Sequence, residues 1–460
     1  MRFVEVLAGL RATLLALRNP AFARLYLAQL VHLLGDALVW VALALLAFEL
    51  AGERAAAVLG LALTLRVTAF VVLSPFAGVL ADRVSRKAIM VTALLARMGV
   101  LAGLAVATSE AQLYLAMLVM NALTAFFTPT YQASVPAVTT RAEYPKAISL
   151  SGATFELLGV LGPGLAGGLA VAFGGRSLFW VAAATLVVSA ALVLSLRRRL
   201  DEATPEADGV EGVPVPQTLA ADAAPDGAAP PEPADAAPTE SAPAGRHWRD
   251  LAEGTVRLWR DPLVRYGLSL ELVASVAGAW ILVNSVVLVK GGLGLDDLAY
   301  GWVMAAFGAG ATLAALALGA LDTRVPRTTF LGVGALAISL AVLPADLVGL
   351  APLAALWFVA GIGTNWVNLP MLTLLAERTP HRLQGRVYGA HFAWSHLWWL
   401  GAYPLAGWLG TVFVGSSFLV GGVASLVLLA GVRWLWWPSA RAAAGAAHVG
   451  AAAPVSGGRS

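Results

Sequence analysis

Twelve stretches of about 20 mainly apolar residues, the length a helix needs to cross a bilayer, recur along this 460-residue chain. They lie roughly at 24–50, 55–80, 88–108, 111–134, 147–174, 177–196, 263–289, 298–320, 329–349, 352–375, 384–413 and 416–437. Only 12% of residues are charged, against about 25% in an ordinary soluble domain, so the chain cannot cover a soluble surface. The absence of cysteine excludes a disulfide scaffold, a cysteine-ligated zinc site and an iron–sulfur centre. A net charge of +3 gives no basis for nucleic-acid binding. The expectation is an all-α integral membrane protein with twelve transmembrane helices and no cofactor.

Charge placement sets the orientation. Of the 30 Lys and Arg residues, Arg54, Arg176 and Lys290 fall on one side and Arg66 and Arg97 within spans. All the others fall on the side that carries both ends, which the positive-inside rule makes cytoplasmic. The predicted location is the inner (plasma) membrane, with both termini cytoplasmic. Residues 2–17 are amphipathic and read as an interfacial helix leading into the first span. Residues 201–240 hold ten acids, no Lys or Arg, and many prolines, the composition of a disordered linker. Residues 247–261 alternate Trp and aliphatic residues with charges, which suggests a second interfacial helix. The predicted organisation is a six-helix bundle over 1–200, a linker over 201–245, a second bundle over 246–437 and a disordered Ala/Gly-rich tail over 438–460.

The two halves repeat. "LRNPAF" at Leu17 matches "WRDPLV" at Trp259, offset by 242 residues, and "GVLADRVSR" at Gly78 matches "GALDTRVPR" at Gly319, offset by 241. "LAG" recurs at Leu165 and Leu405, offset by 240, with Pro163 and Pro404 just before. Two parallel, pseudo-symmetric six-helix bundles with a site at their interface are what a rocking transporter requires.

The segment Gly78–Met90, "GVLADRVSRKAIM", resembles the loop between the second and third spans of the major facilitator superfamily. Residues Asn19–Leu46 and "GRVYG" at Gly385 are similar to the enterobactin-exporter and macrolide-efflux branch. The resemblance implies the major facilitator fold, alternating access, and a cytoplasmic latch made by Gly78, Asp82, Arg83 and Arg86. Physically, Gly78 permits close helix approach, and Asp82 can accept from a helix N-terminus or an Arg. In the second copy Thr323 stands at the Asp82 position and Asp322 one place earlier, so the latch there is expected to be weaker. Gly159, Gly162, Pro163, Gly164, Gly167 and Gly168 in the fifth span resemble the family's glycine–proline antiporter motif. The spacing after Gly162-Pro163 is one residue longer, and a small-residue interface with a proline kink explains them as well.

Five ionisable residues fall within spans, Asp36, Arg66, Arg97, Glu156 and Glu271. Such groups are costly and are functional candidates by default. Three acids against two Arg leave one carboxylate without an obvious cation, able to load and release a proton. Asp36 is the leading candidate: it is mid-span, and His32 lies four residues earlier on the same helix face. Glu271 follows, then Glu156, for which Arg66 and Arg97 are possible charge partners. The alternative is that these acids form ion pairs fixing helix packing. His391 and His396 lie in the eleventh span, His396 at the repeat position of Glu156. Asn121, Trp280, Asn284, Asn365, Trp366 and Asn368 offer amides and indoles for an amphiphilic substrate; interhelical hydrogen bonding is the competing use.

Together these features point to a monomeric secondary transporter, a proton-coupled exporter or antiporter of a small amphiphilic molecule such as a drug, macrolide or siderophore. A lysophospholipid transporter of the same fold is the alternative, and a non-transporting sensor a remote one. An enzyme is not expected: no metal triad, Ser/His/Asp arrangement or phosphate loop stands at usable spacing.

Overall fold

Long apolar runs leave the backbone one way to satisfy its polar groups inside a bilayer, the helix, and the computed structural model is helical without strands among its described residues. It describes residues 15–452 apart from 82–83, 141–142, much of 145–171, 197–199, 201–243, 322–324 and 381–382. The long helices are α1 (Pro20–Ala51), α2 (Ala55–Ala81), α3 (Arg86–Ala105), α4 (Glu110–Val138) and α5 (Ser177–Leu194). They continue with α6 (Ala244–Arg260), α7 (Pro262–Val286), α8 (Asp297–Leu321), α9 (Arg327–Val342), α10 (Leu350–Arg378), α11 (Gln384–Val412) and α12 (Ser417–Ala452). Helix α5 is the sixth predicted span and α6 the predicted interfacial helix. Among the described residues, nine helical stretches are long and apolar enough to cross a membrane. Large apolar side chains such as Trp434, 79% exposed, face outward, as a lipid environment allows and water does not.

The repeat seen in the sequence is built into the backbone. Asn19 and Asp261, offset by 242, each cap a helix with Pro at its first position: Asn19 accepts from the N–H groups of Ala21 and Phe22, Asp261 from those of Leu263 and Val264. Each cap is also tied to the end of the fourth helix of its half. Asn19 donates to the Val138 carbonyl (2.8 Å), and Asp261 accepts from Arg378 Nε (3.0 Å). The described glycines with positive φ pair up as Gly52 with Gly294 and Gly174 with Gly415. They turn the chain where a side chain would be strained. Packing repeats too: α2 lies on α4 as α8 lies on α10, and α1 lies on α5 as α7 lies on α12.

Glycines let the helices of the second half touch backbone to backbone, as membrane bundles require. A Cβ at Gly310 of α8 would lie 1.9 Å from the Phe358 carbonyl of α10, and one at Gly361 of α10 1.9 Å from the Phe307 carbonyl. The halves meet mainly through α2 against α11, with smaller contacts of α1 and α2 on α7. Call the end where α1 begins the near face and the end where it finishes the far face. The tight approaches between the halves cluster at the far face: Gly60 on Tyr403 and Gly407, and Gly407 on Ala56. Nearby, the Lys290 ammonium sits 5.6 Å from the Phe48 ring centroid. One apolar core runs through both halves here, while Tyr266, Leu268, Met371 and Ala390 belong to a separate core within the second half.

Two expectations differ from the structure. The chain beyond Pro438 is helical to Ala452 instead of disordered, because alanine is the best helix former. Arg265 of α7 also anchors the start of this extension by donating to Ser439 Oγ (3.2 Å). Helix α7 ends three residues before the predicted boundary and continues as a widened π turn over Val287–Gly292. The linker segment 201–243 and residues 453–460 of the tail lie outside the described residues.

Candidate functional site

Close packing of α1 on α5 places the first acid. A Cβ on Gly35 would lie 2.2 Å from Thr185 Oγ1 and 3.4 Å from the Ala182 carbonyl, so a larger residue here would require the Thr185 hydroxyl to turn away. The next residue, Asp36, turns toward α3, where Arg97 Nη2 donates to Asp36 Oδ1 at 2.5 Å. His32 Nε2 lies 3.4 Å from Asp36 Oδ2, one helical turn away as its spacing predicts. Arg97 Nη1 is 3.2 Å from both ring nitrogens of His32, whose other face packs on Phe127. Arg97 and His32 are buried at 2% and 5% exposure, whereas Asp36 keeps 27%. The cluster is thus sealed on the helix side and open at its carboxylate.

Arg66 of α2 extends this cluster toward the other half. Its guanidinium lies over the Trp40 ring, 4.4 Å from the centroid, a favourable cation–π placement. Asp36 and Tyr403 are both within its electrostatic reach. His396 on α11 interacts electrostatically with Arg66 and His391, and its Nδ1 lies 2.8 Å from the Phe392 carbonyl.

The second acid, Glu271 of α7, meets His391 of α11. Nε2 of His391 is 2.9 and 3.0 Å from the two carboxylate oxygens. The carboxylate without an Arg partner is therefore not the one expected from the sequence. Asp36, the leading candidate, is paired with Arg97, and it is Glu271 that has neither Arg nor Lys among the described residues. Sequence spacing could not reveal this, because α1–α3 and α7–α11 pairings depend on helix rotation in the bundle. Glu156 and the glycine–proline series from Gly159 to Gly168 lie outside the described residues, as do Asp82 and Arg83.

The polar residues divide. Asn284 donates to the Ala406 carbonyl (3.2 Å), and Asn365 to that of Ala311 (2.7 Å). Both are interhelical hydrogen bonds, the packing use. Asn121 donates to Met117 in its own helix. Trp366 turns toward α9, against Phe330 and Gly334, and Trp280 is buried on Gly421 of α12. Asn368 of α10 is half-buried with no protein hydrogen bond among the described residues. Gly78 lies in α2, and Arg86 donates to the carbonyls of Ala133 (2.8 Å) and Leu200 (3.0 Å), which belong to its own half. Missed in the sequence were Trp40 and Tyr403 around Arg66, and a neutral network of Gln29, Tyr131 and Ser151. The repeat offsets were the one signal that could have led to the last. No cluster of three or more metal-ligating residues occurs among the described residues.

A charged cluster at helix depth in the first bundle, extended by Arg66 toward Tyr403 of the second, has the layout of a transporter. The Major Facilitator Superfamily family model matches residues 25–287 and 268–457. The chain belongs to the major facilitator superfamily. YfiS, an uncharacterised MFS-type transporter of Bacillus subtilis (strain 168), is 27% identical over 365 residues, covering 76% of this chain and 78% of its own. Among solved structures, a bacterial homologue of the human lysosomal transporter Spinster, inward-facing and unoccupied, superposes with TM-score 0.68 at 16% identity. It covers 92% of this chain and 97% of that one. The nucleoside transporter NupG superposes with TM-score 0.66 at 11% identity, covering 90% and 98%. This major facilitator protein is accordingly a multi-pass membrane transporter of a small-molecule substrate, not an enzyme.

Proposed function

We propose that this transporter exports a small amphiphilic organic molecule from the cytoplasm in exchange for protons, with Asp36 as the coupling carboxylate. The observation that carries the reading is the Asp36 cluster: a carboxylate 27% exposed, held by a buried Arg97 and His32. A proton arriving on Asp36 removes the negative charge that balances Arg97, so the loaded and unloaded states differ in what holds α1 to α3. Arg66, within reach of both Asp36 and Tyr403, is the group that would relay this change to the other half. Apolar walls with the amide of Asn368 suit an amphiphile. Export, the drug, macrolide or siderophore cargo class and the antiport coupling rest on the resemblance to the enterobactin-exporter and macrolide-efflux branch.

The placement of Lys and Arg supports an inner-membrane protein whose near face is cytoplasmic. With the far-face ends of α2 and α11 packed together, a cleft between the halves would open toward the near face, the side from which an exporter takes up cargo. Alternating access follows by rocking the halves about that contact.

The test is gradient-driven transport in proteoliposomes. Asp36→Asn should abolish transport driven by a pH gradient, and so should the charge-balanced Asp36→Asn/Arg97→Gln. Normal driven transport in both variants would remove Asp36 as the coupling site. Transport of a lysophospholipid that ignores a collapsed gradient would replace the reading with lipid transport.

A further inference from the structure

Among the described residues, the Asp36 mechanism leaves one membrane-depth acid unused. Glu271 and His391 are buried at 8% and 5% exposure, and no Lys or Arg pairs with either among the described residues. His391 spends its Nε2 on both carboxylate oxygens, and its Nδ1 is buried without a partner. Burying such a pair is costly, so what the fold gains from it needs an explanation.

The repeat provides a control within the same chain. Along the first helix of each half the offset is 242, which sets Gln29 opposite Glu271; along the fifth it is 240, which sets Ser151 opposite His391. In the first half the Tyr131 hydroxyl donates to Gln29 Oε1 (2.5 Å) and lies 3.3 Å from Ser151 Oγ. The equivalent junction is therefore closed by neutral groups, and the Tyr131 position is taken in the second half by Met371. The architecture asks for hydrogen bonds at this place, not for charge.

We propose that Glu271 and His391 form a second proton-binding site, whose role in transport rests on the proton-coupled reading above. With one ring proton, on Nε2, the imidazole is neutral, donates to the carboxylate, and leaves the pair with a charge of minus one. One proton taken from water onto Nδ1 makes the imidazolium, and the pair becomes net neutral with its hydrogen bond intact and charge-assisted. The same proton leaves from Nδ1 when the α7–α11 junction is opened to water. The loaded pair carries no net charge through the membrane; the empty one does.

Other ionisable groups surround α7 without bonding to the pair. They are Arg66 on α2, His396 on α11, Arg433 on α12 beside Tyr266, and Arg378 at the end of α10, with the Asp36 cluster on α1. Helices α6 and α9 bring Arg257 and Arg327, near the end of the one and at the start of the other.

The experiment uses the proton as the probe and the full chain in lipid. Infrared difference spectra between alkaline and acidic buffers report imidazole and carboxylate protonation directly. The wild type is compared with Glu271→Gln and with Glu271→Gln/His391→Ser, the residues the first half already uses. Both variants should lose a coupled imidazole–carboxylate difference signal that Asp36→Asn retains. An unchanged spectrum in the variants overturns the proposal and makes the pair a static joint, and the double variant decides if the single one does not fold. If the signal is lost but Asp36→Asn transports normally under a pH gradient, the coupling reading fails and the second site stands.

Discussion

Replacing Gly60 by alanine tests how the two halves are held. The added Cβ would lie 2.6 Å from the Tyr403 carbonyl and 3.0 Å from Gly407 Cα, about 0.8 Å inside the 3.4 Å at which ordinary contact begins. Both neighbours are backbone, so no side chain can rotate away, and α2 and α11 must separate or bend. Overpacking of this kind costs about 1–3 kcal/mol. Under the proposed alternating access this contact is made only when the far face is closed, so the cost falls on that state and shifts the equilibrium toward opening by about 5- to 150-fold. The chain has no native cysteine, so Glu53→Cys and Val414→Cys place spin labels on exposed far-face positions without background. The wild type should give one short distance, and Gly60→Ala a second, longer population. Gly99→Ala, where a Cβ meets nothing within 4 Å, is the control. A distance distribution in Gly60→Ala identical to wild type would refute the argument, because the backbone would have absorbed the methyl group locally.

Two further measurements bear on the charges. Asp36→Leu leaves Arg97 buried without its carboxylate and should lower thermal stability by about 3–5 kcal/mol, whereas Asp36→Leu/Arg97→Met should recover much of the loss in a double-mutant cycle. Outside the membrane, Glu143 is held below the ordinary carboxylate range, first by the Thr140 backbone N–H and also by Asn19, against a smaller opposing effect of burial. Its contribution to stability is therefore fully present above the unfolded carboxylate value and lost as pH falls through the lower folded one. Glu143→Gln should flatten that acid limb in thermal melts.

Much of the architecture was legible because membranes simplify folding. Helices are obligatory at that depth, and the repeat offsets read in the sequence reappear in the structure in the Asn19 and Asp261 caps and the Gly52 and Gly294 turns. The His32–Asp36 pairing was legible too, since i and i+4 meet on any helix. Residues whose partners sit on other helices were not. Asn284 and Asn365 looked like substrate groups but bond to backbone carbonyls across a helix interface, and Pro438 looked like a helix end that the following alanines carry through.

The sequence by itself determined the class, the helix ladder, the repeat and the few charges that had to matter, because hydropathy and charge act along the chain. Tertiary structure decided which charges meet. Arg97 could have served Asp36 or Glu156, and Glu271 could have faced water, lipid or a cation. The rotation of each helix about its own axis settles those choices, and it is constrained by backbone-to-backbone glycine contacts such as Gly310 on Phe358, which depend on neighbours far away in sequence.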